Sequence, residues 1–229
     1  MNNHKLKLFV FVLILFTASG IIYFWMVNKN SERMTARQKM IKAIYPVFVG
    51  FKRIFSSDPK IKTNIGLLRP IRSLYSLKTP APHGQDIKFE QFRGKKILLV
   101  NTASDCGYTP QYDDLQKLYE SYRDKLIIIG FPANDFKEQE KGTDDEIALF
   151  CKVNYGVSFP LAEKSSVVNG PRQNKIFEWL THKNENGWTD QQPVWNFSKY
   201  LVNENGILTH YFDPSVSPLS KDVIHAILQ

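Results

Sequence analysis

The residue best placed for chemistry is Cys106, one of two cysteines, which lies in the stretch NTASDCGYTPQYDDL at residues 101–115. The apolar run KILLVN before it predicts a strand. Apolar residues at helical spacing after it predict a helix that begins near Pro110, with Thr109 as its N-cap. Cys106 is therefore expected on a strand-to-helix turn, close to the positive end of the helix dipole. Because that position favours the nucleophilic thiolate, it predicts a reactive cysteine with a lowered pKa.

The residues after this thiol limit its chemistry. The turn continues as Gly107-Tyr108-Thr109, so the second cysteine of a C-x-x-C motif is missing and dithiol exchange at this turn is excluded. A lone activated thiol suits attack on a small electrophile, above all a peroxide oxygen, with a sulfenic acid as the product. The alternative, a buried structural cysteine, is disfavoured by the turn position and the polar neighbours.

The elements that must position the thiol are, in chain order, strand, helix, strand, helix, hairpin and helix. The continuous apolar run LIIIGFP at residues 126–132 predicts a buried strand, and a capping box from Thr143 to Glu146 predicts the start of a helix. A further helix is expected after Pro171, and the turn at residues 204–206 predicts a hairpin before a closing helix. This order predicts a thioredoxin-like α/β fold, with a central mixed sheet flanked by helices.

The chain is predicted to have three parts: residues 1–28, residues 29–72 and the folded domain at residues 73–229. Residues 8–27 are uncharged and almost all apolar, which is long enough for a helix to cross the ~30 Å hydrocarbon core of a bilayer. We interpret residues 1–28 as a single-pass membrane anchor. A cleaved signal peptide with its small-residue site at residues 18–20 is the alternative, whereas a buried core helix is disfavoured because the segment is apolar on every face.

The net charge of +8 is unevenly distributed along the chain. Residues 1–28 contribute +2, residues 29–72 contribute +9 (eleven basic against two acidic residues) and residues 73–229 contribute −3 (seventeen against twenty). The basic excess therefore lies beside the anchor, which argues against a nucleic-acid partner. The basic segment with apolar residues from Ile44 to Phe55 is expected to lie on anionic lipid headgroups, and residues 56–72 either do the same or form a solvated, partly disordered linker.

The side of the membrane on which the domain lies is predicted from two opposing considerations. More basic residues come after the apolar segment than before it, which by the positive-inside rule places the domain in the cytoplasm. Short basic amino-terminal anchors, in contrast, commonly export the domain attached to them. We favour an exported domain on a single-pass membrane protein.

Four blocks of sequence, taken together, resemble the glutathione peroxidase family: NTASDCGYTPQYDDL, IIGFPANDFKEQEKGTDDEI, VNGP and VWNFSKYLVNENG. The resemblance covers residues 73–229 and keeps the family's order. It implies a thiol peroxidase on a thioredoxin fold, with a catalytic tetrad of Cys106, Gln139, Trp195 and Asn196. The amides and the indole offer N–H donors that would stabilise a thiolate and the charge that develops during attack.

The second cysteine, Cys151, has two interpretations. Where many members of the family have a cysteine this chain has Ala133, and the resemblance implies that members reduced by thioredoxin carry a resolving cysteine at or near Cys151. Yet Cys151 lies on the apolar face of its helix, where inert buried cysteines are common. Part of the helix would have to unwind for Cys151 to reach Cys106, since a disulfide needs Cα atoms within about 7 Å.

The remaining predictions concern partners. The five histidines are scattered, so neither a metal nor another cofactor is expected. The expected substrates are hydrogen peroxide and organic or lipid hydroperoxides, as part of a response to oxidative stress. The expected reductant is a thioredoxin-like protein, or else glutathione, for which no basic cluster is evident. In the family that this chain resembles, a longer insertion between Trp179 and Trp195 accompanies tetramers, so the resemblance implies a monomer apart from membrane association.

Two functions of other classes remain open at this point. One is a peroxide sensor that passes oxidation from Cys106 to a partner protein. The other is a non-catalytic, membrane-tethered binding module, in which Cys106 would have an unshifted pKa.

Overall fold

The computed structural model describes residues 3–55 and 61–229. Among these residues the strands are, in chain order, β1 (Ile61–Thr63), β2 (Lys78–Ala81), β3 (Gln85–Lys88), β4 (Lys96–Thr102), β5 (Leu126–Pro132), β6 (Lys199–Val202) and β7 (Leu208–Phe212). One sheet has the strand order β1-β7-β6-β4-β5, and β2 pairs with β3 in a separate hairpin. The strand predicted at residues 126–132 is confirmed.

The helices connect and cover these strands. They are α1 (Asn3–Asn28), α2 (Ala36–Phe55), α3 (Gln111–Tyr122), α4 (Asp144–Tyr155), α5 (Lys175–Thr181), α6 (Lys183–Asn186) and α7 (Lys221–Leu228). Residues 56–60 of the predicted linker lie outside the described residues.

The central strand β4 carries buried residues on both faces of the sheet, because alternate side chains of a strand point in opposite directions. Leu98 and Val100 join a core cluster that includes α3, α4 and α7, whereas Ile97 and Leu99 join a second cluster that includes α5 and the β2–β3 hairpin. Strand β4 pairs in parallel with β5 and antiparallel with β6. This mixed sheet, covered on both faces, confirms the predicted thioredoxin-like fold.

Helix α4 has well-defined ends. Its predicted capping box is confirmed: the Glu146 backbone N–H donates to the Thr143 hydroxyl, and the Thr143 backbone N–H donates to the Glu146 carboxylate at 2.8 Å. Its other end is closed by Gly156 in the left-handed conformation, with φ 64°. These caps fix the helix that carries Cys151.

The folded unit extends further towards the amino terminus than the predicted boundary at residue 73. Residues 61–63 form the edge strand β1, which pairs antiparallel with β7. The Asn64 side chain donates to the Leu208 carbonyl at 3.0 Å, and the Trp179 indole donates to the Arg72 carbonyl at 2.7 Å. Residues 61–72 were expected in the linker, but residues 61–64 protect the edge of β7, whose backbone groups would otherwise lack partners, and Arg72 contacts Trp179.

Helix α1 contains an apolar segment, Phe11–Asn28, with a mean hydropathy of 1.9 and no buried residue. Its length and composition are sufficient to cross a membrane, and a signal sequence near the amino terminus has the same properties. Helix α2 comes after a short connection and packs against α1. Its Ala43 carbonyl accepts a hydrogen bond from the Tyr23 hydroxyl at 3.0 Å.

Candidate active site

The turn that carries Cys106 comes directly after the end of β4 and is closed by Thr109. The Cys106 backbone N–H donates to the Thr109 hydroxyl at 2.9 Å, and that hydroxyl donates to the Ala103 carbonyl at 2.8 Å. Helix α3 begins at Gln111, one residue later than expected, with Pro110 at the N-cap position. Thr109 therefore braces the turn around the thiol instead of capping the helix.

Trp195 and Asn196 reach the thiol from the loop before β6. This loop is fixed by β4: the Asn101 side chain donates to the Trp195 carbonyl at 3.1 Å, and the Phe197 N–H donates to the Asn101 carbonyl at 2.6 Å. Phe197 has a left-handed backbone, with φ 68°, which a non-glycine residue adopts only when its surroundings hold it there. The fold thus fixes both side chains beside Cys106.

Gln139 lies next to this group but contacts it through Asn196. The Asn196 side-chain amide donates to the Gln139 side-chain oxygen at 3.0 Å, and the Asp105 backbone N–H donates to the Gln139 carbonyl at 3.0 Å. The loop enters this contact through Lys137 and Glu138, which have positive φ values of 52° and 51°. The structure therefore brings together all four residues that the sequence analysis proposed as a tetrad.

The pKa of Cys106 is raised, not lowered as the helix dipole had suggested. Burial is the largest cause, since only 1% of the residue is exposed and the thiolate loses its hydration there. The Tyr108 backbone N–H, followed by the side-chain N–H groups of Trp195 and Asn196, acts in the opposite direction. The predicted lowering was wrong because burial, which depends on distant parts of the chain, outweighs the local donors in this conformation.

Cys151 is a free thiol, fully buried in α4. Burial raises its pKa to about 12, an effect that the neighbouring Tyr112 hydroxyl partly offsets. A thiol with this pKa is protonated at neutral pH and is a poor nucleophile. In this conformation Cys151 therefore belongs to the core, and its role as a resolving thiol stays a prediction.

Glu140 is a buried carboxyl that the sequence analysis did not identify. Its carboxylate accepts a hydrogen bond from the hydroxyl of Ser104 at 3.2 Å, and Ser104 lies two residues before Cys106. The Glu140 backbone N–H donates to the Asn134 side chain at 2.8 Å. Burial raises its pKa to about 7. Its charged neighbours in the sequence indicate a solvated loop, so no local signal would have revealed it.

A metal ion has no evident place in this site. Within residues 3–55 and 61–229, no group of three or more His, Cys, Asp or Glu side chains could hold one. The chemistry available is that of a thiol surrounded by uncharged N–H donors.

The chain is similar in sequence to known proteins. Residues 74–181 match the family model described as glutathione peroxidase. The glutathione peroxidase homolog BsaA of Staphylococcus epidermidis is 42% identical over 149 residues, which cover 65% of this chain and 93% of the relative. The glutathione peroxidase-like peroxiredoxin 2 of Saccharomyces cerevisiae is 41% identical over 151 residues, which cover 66% and 93%.

Solved structures of other proteins are also similar to this chain. The crystal structure of Trgpx in its apo form has a TM-score of 0.53 and 30% identity, covering 69% of this chain and 97% of that one. The crystal structure of T. cruzi GPX1 has a TM-score of 0.53 and 26% identity, covering 69% and 95%. About a third of this chain therefore has no counterpart in these similar proteins.

Proposed function

The chain belongs to the glutathione peroxidase family and is a thiol peroxidase, and we propose that Cys106 is its peroxidatic residue, with Trp195, Asn196 and Gln139 as its catalytic partners. The observation that carries the proposal is the convergence of three N–H donors on the thiol, from the Tyr108 backbone and from the Trp195 and Asn196 side chains. Gln139 completes the group through its hydrogen bond with Asn196.

The proposed reaction begins with the Cys106 thiolate attacking one oxygen of the peroxide. An S–O bond forms as the O–O bond breaks, and the second oxygen leaves as hydroxide or alkoxide and takes up a proton. The products are a sulfenic acid on Cys106 and water or an alcohol. Fixed N–H donors stabilise the thiolate and the leaving oxygen without carrying charge themselves, so no reorganisation is required during attack.

The proposed cycle closes with a thiol reductant. The sulfenic acid condenses with a thiol, which releases water and forms a disulfide, and a second thiol then reduces that disulfide by exchange. A thioredoxin-like protein is the proposed physiological reductant and Cys151 the proposed resolving thiol. Because Cys151 is buried, this route requires part of α4 to open.

The proposed substrates are hydrogen peroxide and organic hydroperoxides, including those of lipids, as part of the response to oxidative stress. The segment between Trp179 and Trp195 holds the end of α5 and the four-residue helix α6, and its shortness supports access of a bulky hydroperoxide once Cys106 is uncovered. We propose that α1 anchors a monomer in the membrane, with the domain exported, which would bring the site close to lipid substrates.

The test is peroxide consumption by the full-length chain in detergent, with thioredoxin plus its reductase or with glutathione plus its reductase. We expect turnover with thioredoxin that is lost in Cys106→Ser and in Cys151→Ser. Turnover that survives Cys151→Ser would instead leave an external thiol to resolve Cys106. Oxidation of Cys106 without turnover under either condition would contradict the proposal and favour a peroxide sensor.

A further inference from the structure

Helix α2 lies against the turn that carries Cys106, although it belongs to the part of the chain outside the family match. Arg37 forms an ion pair with Asp105, and the Gln38 side chain donates to the Ser104 carbonyl at 2.9 Å. Thus two consecutive residues of α2 hold the two residues that precede the proposed peroxidatic cysteine. The ion pair is exposed to solvent, so it holds the helix only weakly.

Further along α2, aromatic side chains lie beside the turn that carries Cys106. Tyr45 is 8% exposed, and burial, followed by the nearby charge of Asp114, raises the pKa of its phenol. Smaller effects of Tyr108 and Cys106 on the same pKa indicate that the phenol lies near this turn. The ring of Phe48 lies 6.4 Å from the ring of Tyr108. A helix that lies outside residues 74–181, the part that matches the family model, therefore lies beside the turn of the proposed peroxidatic cysteine.

The same helix also holds α4, the helix of Cys151. The Lys42 ammonium group donates to the Asn154 carbonyl at 3.1 Å and lies 4.8 Å from the centre of the Tyr155 ring. Gln38, Lys42 and Tyr45 are spaced i, i+4 and i+7, so their contacts with the folded domain come from one face of α2. Both cysteines of the proposed reaction are thus restrained by one side of one helix.

The outward side of α2 is suited to a different partner. Met40, Ile44 and Val47, again at i, i+4 and i+7, form an apolar stripe in which 57%, 53% and 69% of the residues' surfaces are exposed. Between residues 29 and 51 the chain has five basic residues against one acidic residue. An exposed apolar stripe within a basic segment matches an anionic bilayer surface in both hydrophobicity and charge.

The position of the stripe beside α1 supports the same partner. Helix α2 contacts α1 through the Ala43 carbonyl and through the Lys39 carbonyl, which accepts from the Asn28 side chain at 3.3 Å. Ala43 lies next to Ile44 in sequence, so the stripe adjoins the helix that is apolar enough to enter a membrane. A bilayer into which α1 is inserted would therefore also contact the stripe on α2.

We propose that α2 is a lid over Cys106, and that an anionic bilayer surface draws it away from the thiol. The open lid binds such a surface better than the closed one, because opening releases Arg37 and Lys42 from the domain for the lipid headgroups while the outward face contacts the bilayer. The inference rests on the proposed role of Cys106 as the peroxidatic residue. Lid opening removes part of the burial that is the largest cause of the raised Cys106 pKa, and it releases the end of α4. The enzyme is then most reactive where anionic lipid is present.

The experiment measures how fast Cys106 is alkylated by a water-soluble maleimide. The full-length Cys151→Ser chain, which has Cys106 as its only thiol, is placed in nanodiscs of phosphatidylcholine alone or mixed with phosphatidylglycerol. We expect alkylation about tenfold faster in the anionic nanodiscs, corresponding to a tenfold larger population of open molecules. Equal rates in the two lipids would overturn the proposal.

Substitutions on the outward face and on the domain-facing face of α2 test the two parts of the proposal separately. Replacing Ile44 and Val47 together with serine removes the stripe and is expected to abolish the response to anionic lipid while alkylation stays slow. Tyr45→Ala opens the cover and is expected to give fast alkylation in both lipids, whereas Tyr45→Phe retains the ring and behaves as the parent. Gln38→Ala removes the half-buried hydrogen bond to the Ser104 carbonyl and is expected to accelerate alkylation, as Tyr45→Ala does.

Slow alkylation in both Tyr45→Ala and Gln38→Ala would show that α2 does not cover the thiol and would overturn the proposal. Alkylation does not require peroxidase turnover, so the result is independent of the proposed function. A lid that responds to anionic lipid in a chain without turnover would support the lid and contradict the proposed function.

Discussion

At the scale of single residues, the reactivity of Cys106 depends on burial and hydrogen bonding, which act in opposite directions on one pKa. Burial raises this pKa, and N–H donors from Tyr108, Trp195 and Asn196 lower it. The donors are fixed by the fold, whereas α2, which lies against the Cys106 turn, is held there by one exposed ion pair and by half-buried hydrogen bonds. The balance can therefore change without rearrangement of the sheet.

Removing one donor tests this balance. Trp195→Phe keeps an aromatic ring but loses the indole N–H that lowers the Cys106 pKa, so this pKa should rise further. The rate of oxidation by peroxide at neutral pH should fall about tenfold, the effect of losing one hydrogen bond to a charged group. Because a higher pKa leaves less thiolate at a given pH, the pH profile of the rate should shift to higher pH. The measurement is the oxidation rate from pH 6 to 10, a range chosen to bracket the ordinary thiol pKa of ~8.5. Trp188→Phe serves as the control, and an unchanged profile in Trp195→Phe would contradict the assigned role.

The buried carboxyl of Glu140 allows a prediction about how the stability of the protein depends on pH. Its pKa is raised from 4.5 to about 7 by burial, so the folded state binds a proton more tightly than the unfolded state, and stability is lost as the pH rises from about 4.5 through 7. Glu140→Gln removes this charge, and at pH 8 it should increase the free energy of unfolding by about 3 kcal/mol, with little effect at pH 4. Denaturant unfolding at both pH values measures the difference.

The matched control for this prediction is Glu138→Gln. Glu138 lies on the same loop, but its carboxylate is exposed and pairs with Lys141 at 3.5 Å. Its substitution should change stability by less than about 1 kcal/mol at either pH. A Glu140→Gln variant that is no more stable than Glu138→Gln at pH 8 would show that burial of this carboxyl costs little.

At the scale of elements, local patterns were sufficient for the central strands and for the start of α4. The apolar run at residues 126–132 and the capping box at Thr143 depend on neighbouring residues only, so the sequence reveals them directly. The strand β1, with three residues, has no such signal, because its partner β7 lies far away in the chain. The contact of α2 with the Cys106 turn is equally non-local.

The candidate site was predictable to a different extent. The turn position of Cys106 is a consequence of the strand and the helix on either side of it, which the sequence shows. The grouping of Gln139, Trp195 and Asn196 came from the resemblance to a family, since residues this far apart in the chain show no pattern of their own. The direction of the Cys106 pKa could not be predicted, because it depends on what covers the thiol.

The capping box of α4 allows a prediction that links stability to the proposed chemistry. Thr143→Ala removes the hydroxyl that caps the Glu146 N–H and should lower the free energy of unfolding by about 1 kcal/mol. If α4 opens during the cycle, the disulfide between Cys106 and Cys151 should also form faster after a pulse of peroxide. Glu146→Gln keeps an acceptor for the Thr143 N–H, so it should neither lower the free energy of unfolding nor accelerate disulfide formation. A loss of stability without faster disulfide formation would count against opening from this end.

At the scale of the whole molecule, the chain combines a complete peroxidase domain with an amino-terminal third that the similar proteins lack. This third has two roles in the structure that its composition alone does not reveal. Residues 61–72 complete the sheet, and α2 covers the proposed active site. We therefore propose that the boundary of the folded domain lies between these two parts, before β1, instead of at residue 73.

This boundary is tested by comparing two shortened chains, residues 61–229 and residues 73–229. The shorter chain loses β1, which exposes the backbone of β7, and it loses the Asn64 side chain that bonds the Leu208 carbonyl. It also removes the Arg72 carbonyl and leaves the indole N–H of the buried Trp179 without its partner, which alone costs about 1–3 kcal/mol.

We therefore expect residues 73–229 to unfold at a lower denaturant concentration, with at least about 2 kcal/mol less stability, and to aggregate through the exposed edge. The chain of residues 61–229 is the matched control, since both lack α2 and differ only in the segment that pairs with β7. Trp179→Phe in each chain isolates the indole: it should narrow the difference, because the orphaned N–H is then absent from both. Equal unfolding midpoints of the two chains would place the boundary at residue 73 after all and make β1 dispensable.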